Sequence, residues 1–127
     1  MISMDMPHVL LVDDDVELVS LLNFYLRSDG FRVSQAHEGE TAVRMAFATP
    51  APDIAVIDVM MPGEMDGLQV LDAIKSDPRI SDTLVAMVTA RGQVADGDDA
   101  RKRGADAYFI KPFSPLQVVA WVREHAK

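Results

Sequence analysis

Short apolar runs and amphipathic stretches alternate along the whole chain. Val9-Leu10-Leu11-Val12 is wholly apolar and stops abruptly at three aspartates, the pattern of a strand buried on both faces of a parallel sheet. From Asp15 to Asp29 the period changes. Leu18, Leu21, Leu22, Tyr25 and Leu26 share one face at helical spacing, Asp15 can cap the start, and Gly30 supplies the stop. The same alternation predicts strands at Phe31 to Ser34, Ile54 to Ile57, Leu84 to Val88 and Ala107 to Ile110. It predicts helices at about Glu40 to Ala48, Leu68 to Ser76, Gln93 to Arg103 and Pro115 to Ala126. The fourth of the five helices is the weakest, because Gly97 lies amid Asp96, Asp98 and Asp99.

Five strands alternating with five helices imply an α/β fold, an open parallel sheet covered on both faces with right-handed crossovers. No linker, charge block or repeat divides the chain, and 127 residues suit one domain. Residues 1–7 read as an N-terminal tail and 8–127 as the domain. The absence of cysteine excludes disulfides and thiolate metal sites. Neither an apolar run of about 20 residues nor a signal peptide is present, so a cytoplasmic protein without membrane contact is expected. The formal charge of −8 argues against direct binding of nucleic acid by this chain.

In open parallel sheets, ligands bind beyond the carboxyl ends of the strands. Four of the five predicted strands end there in a polar or charged group: Asp13 and Asp14 after the first, Asp58 after the third, Thr89 after the fourth and Lys111 after the fifth. Three gathered carboxylates raise one another's pKa unless a cation intervenes. Mg²⁺ prefers oxygen ligands and keeps several waters, so two carboxylates and a backbone carbonyl would leave room for a phosphate oxygen. Lys111 supplies a second positive charge and Thr89 a hydroxyl donor. The set suits phosphoryl transfer, in which catalysis is mainly positioning and charge neutralisation. Asp15, by contrast, reads as a helix cap.

At these residues the chain resembles the receiver domains of response regulators, the CheY-like proteins of two-component signalling. Val12-Asp13-Asp14-Asp15 looks like the family's acidic pair, and Asp58-Val59-Met60-Met61-Pro62 with Asp66-Gly67 like its phosphoacceptor strand and loop. Val88-Thr89-Ala90 resembles the switch threonine, and Gly104 to Tyr108 through Lys111-Pro112-Phe113 the last signature. The matches run from about residue 8 to the end.

The resemblance implies a flavodoxin-like strand order 2-1-3-4-5. It makes Asp58 the nucleophile toward a phosphohistidine or a small phosphodonor. Asp14, Asp58 and the backbone carbonyl of Met60 would bind Mg²⁺ (or Mn²⁺) directly, and Asp13 through water. Lys111 would pair with Asp58 and then with the phosphoryl group, across a cis Lys111-Pro112 peptide. Thr89 would move to the phosphoryl group and Tyr108 turn inward behind it, shifting a two-state population rather than turning over a separate substrate. The implied partners are a sensor histidine kinase or histidine phosphotransfer protein and a downstream protein target. Output is expected through the face of the fourth helix, fifth strand and fifth helix.

Several features depart from the family or lie outside its motifs. Gly63-Glu64-Met65 makes the loop after the third strand one residue longer than the common spacing, so a bulge is expected there. Ala107, Gln117 and Trp121 stand where receivers linked to winged-helix domains carry charged dimer contacts, so a monomer or weak dimer is expected. Met60 and Arg91 lie two residues beyond Asp58 and Thr89, flanking the family's route for hydrolytic water, and imply slow self-dephosphorylation. His8, His37 and His125 have no ligand spacing and read as surface or edge residues. Leu116 and Trp121 on the last helix, and Val16 and Val19 beside Asn23 on the first, are either contact sites or partly buried. Two other functions compete: a phosphorylation-independent interaction module, and an aspartyl-phosphate phosphatase. The phosphatase families that form such an intermediate usually have an aspartate where this chain has Met60. A flavin-phosphate binder is disfavoured because Asp13-Asp14-Asp15 would repel the phosphate.

Overall fold

The structure is a computed structural model that describes residues 6–90 and 99–126. Its elements run β1 (His8–Val12), α1 (Val16–Ser28), β2 (Arg32–Ala36), α2 (Gly39–Ala46), β3 (Ile54–Asp58), α3 (Gly67–Ser76) and β4 (Leu84–Ala90). They continue with α4, helical at residues 99–102, then β5 (Ala107–Lys111) and α5 (Pro115–His125). The strands form one parallel sheet in the order β2-β1-β3-β4-β5, the order implied by the resemblance. The weakly predicted helix is described only at its end; Arg91, Gly92, Gln93, Asp96, Gly97 and Asp98 lie outside the described residues.

The apolar runs are explained by burial on both sheet faces. Leu10, Val12, Ala55, Ile57, Val85 and Met87 point to one side, where α2, α3 and Ala100 of α4 cover them. Val9, Leu11, Ile54, Val56, Ala86 and Val88 point to the other, under α1 and α5. Alternate residues of a strand face opposite sides, so a strand clad twice has no polar face to show.

On α1 the buried stripe is Val19, Leu22 and Leu26, with Leu18 and Tyr25 packed at its margin. Two expectations are corrected here. Leu21, placed on the buried face, is 41% exposed, and Val19, read as either a contact site or partly buried, is 1% exposed and belongs to the core. The apolar arc of the helix is wider than the surface that the sheet and α5 cover, so one edge of it is left in water. Val118, Val119 and Val122 form the inward stripe of α5.

Caps and tight turns set how the chain passes between strands and helices. Asp15 caps α1 by accepting from Leu18 N–H at 3.1 Å, and Gly30, at φ +91°, turns the chain into β2. Asp66 and Gln69 form a capping box at the start of α3, with contacts of 3.0 and 2.8 Å. The long loop before it turns at Gly63, φ +98°, and its Met65 packs against Gly39 at the start of α2. Met6 and Pro7 carbonyls accept from Arg32 Nε at 2.9 Å and Arg32 N–H at 3.1 Å. No helix among the described residues is long and apolar enough to cross a membrane.

Candidate functional site

Strand register alone brings the predicted residues together. Val12 pairs with Ile57, so Asp13 leaves β1 beside Asp58 at the end of β3. Asp58 pairs with Val88, Thr89 with Ile110, and Ala90 with Lys111. Neighbouring strands are about 4.8 Å apart, which puts Lys111 two strands from Asp58, within reach of a four-carbon side chain. Lys111 Nζ lies 3.2 Å from Asp13 Oδ2 and 3.4 Å from Asp58 Oδ2. One carboxylate oxygen from each of Asp13, Asp14 and Asp58 lies within 4.8 Å of the others. Asp13 and Asp58 are each 5% exposed and Thr89 is fully buried, whereas Asp14 is open to solvent. The Lys111-Pro112 peptide is cis, as the resemblance implied.

Each buried carboxylate is oriented by a local backbone donor. Asp15 N–H donates to Asp13 Oδ1 at 2.9 Å, and Met60 N–H to Asp58 Oδ1 at 3.3 Å. The charges are not balanced. Burial pushes the Asp58 carboxyl up to about 7, the neighbouring Asp13 charge adds to this, and Lys111 offsets part of it. Burial works against the Lys111 ammonium, but Asp13 and Asp58 outweigh it and hold its pKa above the usual lysine value.

This imbalance has a sign in stability. In the unfolded chain Asp58 titrates at the ordinary 3.8 and in the folded protein at about 7, so between these values the folded form holds a proton that the unfolded form has released. Metal-free stability therefore falls as pH rises through this window and levels off above it. Asp58→Asn removes the penalty. It is expected to stabilise the metal-free protein by about 2 kcal/mol above neutrality, roughly half of what the full shift implies because water reaches the pocket mouth, and by much less in the ordinary carboxylate range. Urea unfolding across pH checks it; a gain that shrinks as pH rises would contradict the charge assignment.

The donor set is all hard oxygen, which fits a divalent cation such as Mg²⁺, and such an ion would offset both the burial of the Asp58 charge and its repulsion by Asp13. Met60 is 57% exposed. Tyr108 is half-buried against the α2–α3 side of the core, with the Arg101 guanidinium 4.1 Å from its ring centroid. Beside the carboxylates, Asp15, Leu18, Ala90, Lys111, Pro112 and Phe113 line a cavity of about 450 Å³. Val16 next to it is 60% exposed, while Asn23 accepts from Arg27 Nε at 2.7 Å.

Other expectations resolve individually. Leu116 is 55% exposed, and Trp121 is half-buried, its ring 6.4 Å from that of Phe109 and stacked on His125 at 4.7 Å. His8 bonds Ser34 Oγ through Nε2 at 2.7 Å, and burial lowers its pKa. His37 is exposed beside the edge strand β2, as expected, and its Nδ1 also lies 2.9 Å from the Asp13 carbonyl. No spacing signal marks it, since the contact joins two loops. Phe24, 65% exposed on α1, likewise carries no signal in the sequence pattern.

Comparison with known proteins agrees with this geometry. The family described as response regulator receiver domain matches residues 9–123. Over 118 residues the chain is 42% identical to the transcriptional regulatory protein CpxR of Klebsiella pneumoniae, covering 93% of this chain and 48% of that protein. It is 36% identical over 118 residues to the DNA-binding dual master transcriptional regulator RpaA of Synechocystis, with 93% and 48% covered. It is also similar to the receiver domain of the Francisella response regulator 1452, with a TM-score of 0.82 at 28% identity, covering 94% of this chain and 96% of that one. The chain spans about half the length of the curated relatives it matches. With the fold, the strand-end residues and the family match in agreement, the chain belongs to the response regulator receiver domains of two-component systems.

Proposed function

We propose that the domain is a phosphoacceptor switch in which Asp58 takes a phosphoryl group in a Mg²⁺-dependent reaction. The observation that carries this is the convergence of the Asp13, Asp14 and Asp58 oxygens within 4.8 Å, with Lys111 Nζ on the same Asp58. Asp14, Asp58 and the Met60 carbonyl would hold the ion, with Asp13 acting through water. When bound, the ion neutralises charge on the phosphoryl oxygens. An Asp58 oxygen attacks phosphorus, the bond to the donor nitrogen or oxygen breaks, and the donor leaves with that electron pair. Lys111 balances the negative charge at Asp58 before and after transfer, and the Thr89 hydroxyl donates to the phosphoryl group. The domain assists its own phosphorylation and loss of phosphate without turning over a separate substrate.

The phosphodonor is a histidine kinase or phosphotransfer protein. Exposed Val16 and the cavity between Leu18 and Phe113, both next to the carboxylates, support docking there. Output runs through Tyr108 to α4, β5 and α5 toward a protein target. The domain itself does not grip nucleic acid, and its oligomeric state is monomer or weak dimer.

Treatment with acetyl phosphate, read by intact-mass spectrometry, tests the proposal. One added phosphoryl group is expected with Mg²⁺ and none with EDTA. An unmodified protein in both would favour a phosphorylation-independent interaction module. Once labelled, the protein is expected to lose phosphate slowly, because the apolar Met60 chain stands where a short polar group would admit water. Met60→Asn combined with Arg91→Ala, the latter outside the described residues, should speed the loss severalfold; an unchanged or slower decay after donor removal refutes the shielding.

A further inference from the structure

Two contacts from the β2 side hold the end of β1. Asp13 N–H donates to the Ala36 carbonyl at 3.1 Å, one step beyond the last paired residues, Val12 and Ala36. The Asp13 carbonyl is 2.9 Å from His37 Nδ1. A carbonyl can only accept, so that ring nitrogen carries the proton and donates it. His37 itself is exposed, between the end of β2 and Glu38, the N-cap of α2.

We propose that His37 is a positioning residue for the acidic pocket, its ring N–H clamping the end of β1 from which Asp13 and Asp14 project. This rests on the reading of the pocket as a divalent-cation and phosphoryl site. The oxygen that His37 holds belongs to the peptide joining Asp13 to Asp14. Rotation of that peptide would swing the Asp14 carboxylate relative to Asp13 and Asp58, whose oxygens now lie within 4.8 Å of it. Asp13 cannot steady the peptide by itself. Its Oδ1 accepts from Asp15 N–H at 2.9 Å and its Oδ2 faces Lys111 Nζ at 3.2 Å. The ring thus adds a side-chain rung to the β1–β2 ladder at the point where the strand gives way to the pocket. Partners that hold a metal ligand from behind commonly govern affinity without touching the ion.

Mn²⁺ binding to the intact protein, followed by electron paramagnetic resonance of the free ion, tests the role. His37→Ala and His37→Phe are expected to weaken binding about five- to tenfold, the lower end of what such partners contribute, because the ring is exposed to competing water. His37→Asn should restore it to within about twofold, since its amide N–H stands as many bonds from the backbone as Nδ1. Urea unfolding of each variant separates lost position from lost fold. Equal affinity in wild type and His37→Ala overturns the inference, as does rescue by phenylalanine rather than asparagine, which would make ring bulk the cause. Nitrogen NMR of the metal-free wild type should report the Nδ1–H tautomer; a ring protonated only at Nε2 also overturns it. A wild type that binds no Mn²⁺ instead overturns the underlying reading of the pocket.

Discussion

Asp58→Asn is expected to abolish phosphoryl labelling by acetyl phosphate in Mg²⁺ while leaving a folded and more stable protein. The amide keeps the shape of the carboxylate and can still face Lys111 Nζ, now 3.4 Å from Oδ2, but it has no anionic oxygen with which to attack. It also removes the group whose burial beside Asp13 raises its pKa to about 7. Loss of labelling together with a gain in stability is the signature of a functional group held against its own electrostatic preference. Lys111→Met should retain Asp58 and slow labelling by about 10²-fold or more, because a preorganised positive charge is removed from the transferring group. Intact-mass time courses measure both. Undiminished labelling of Asp58→Asn would mean that another carboxylate, Asp13 or Asp14 by proximity, is the acceptor.

Gly67→Ala should cost about 3 kcal/mol or more in urea unfolding and depress labelling at the same time. Gly67 is the first residue of α3, and its N–H donates to the Val59 carbonyl at 2.9 Å, so the helix starts pressed against the end of β3. A Cβ at this position would run into the Asp58 carbonyl oxygen and the Val59 Cα. Both obstacles are backbone, so neither can rotate aside as a side chain would. Either α3 is displaced, which opens the core beneath Leu68, Val70 and Leu71, or the end of β3 that carries Asp58 shifts. Gly63→Ala provides the contrast. Nothing lies within 4 Å of its would-be Cβ, and only its φ of +98° is unfavourable, so the expected cost is about 1 kcal/mol with labelling intact. Equal effects at the two glycines would refute the close-approach argument.

Much was legible along the chain because a doubly clad parallel sheet writes itself in one dimension. Strands buried on both faces must be continuously apolar, as Val9 to Val12 and Ile54 to Ile57 are, and each must stop where the sheet meets the ligand edge. Asp13, Asp14, Asp58, Thr89 and Lys111 could thus be named from position alone, and the structure brings the three aspartates and Lys111 into one pocket, with Thr89 fully buried at the end of β4. What periodicity could not decide was the orientation of helices against that sheet. Leu21 and Val19 differ by two residues on one amphipathic helix, and only the placement of α5 alongside α1 determines which of them water sees. The contact of His37 with Asp13, the demand for glycine at position 67 and the stacking of Trp121 on His125 against Phe109 also waited for the fold. His37 and Asp13 are 24 residues apart, and Gly67 lies against Asp58 across a loop whose path residue types alone do not specify. Local propensity and burial pattern act along the chain and are written in it; contacts between loops depend on where separate elements come to rest, and three-dimensional packing alone sets that.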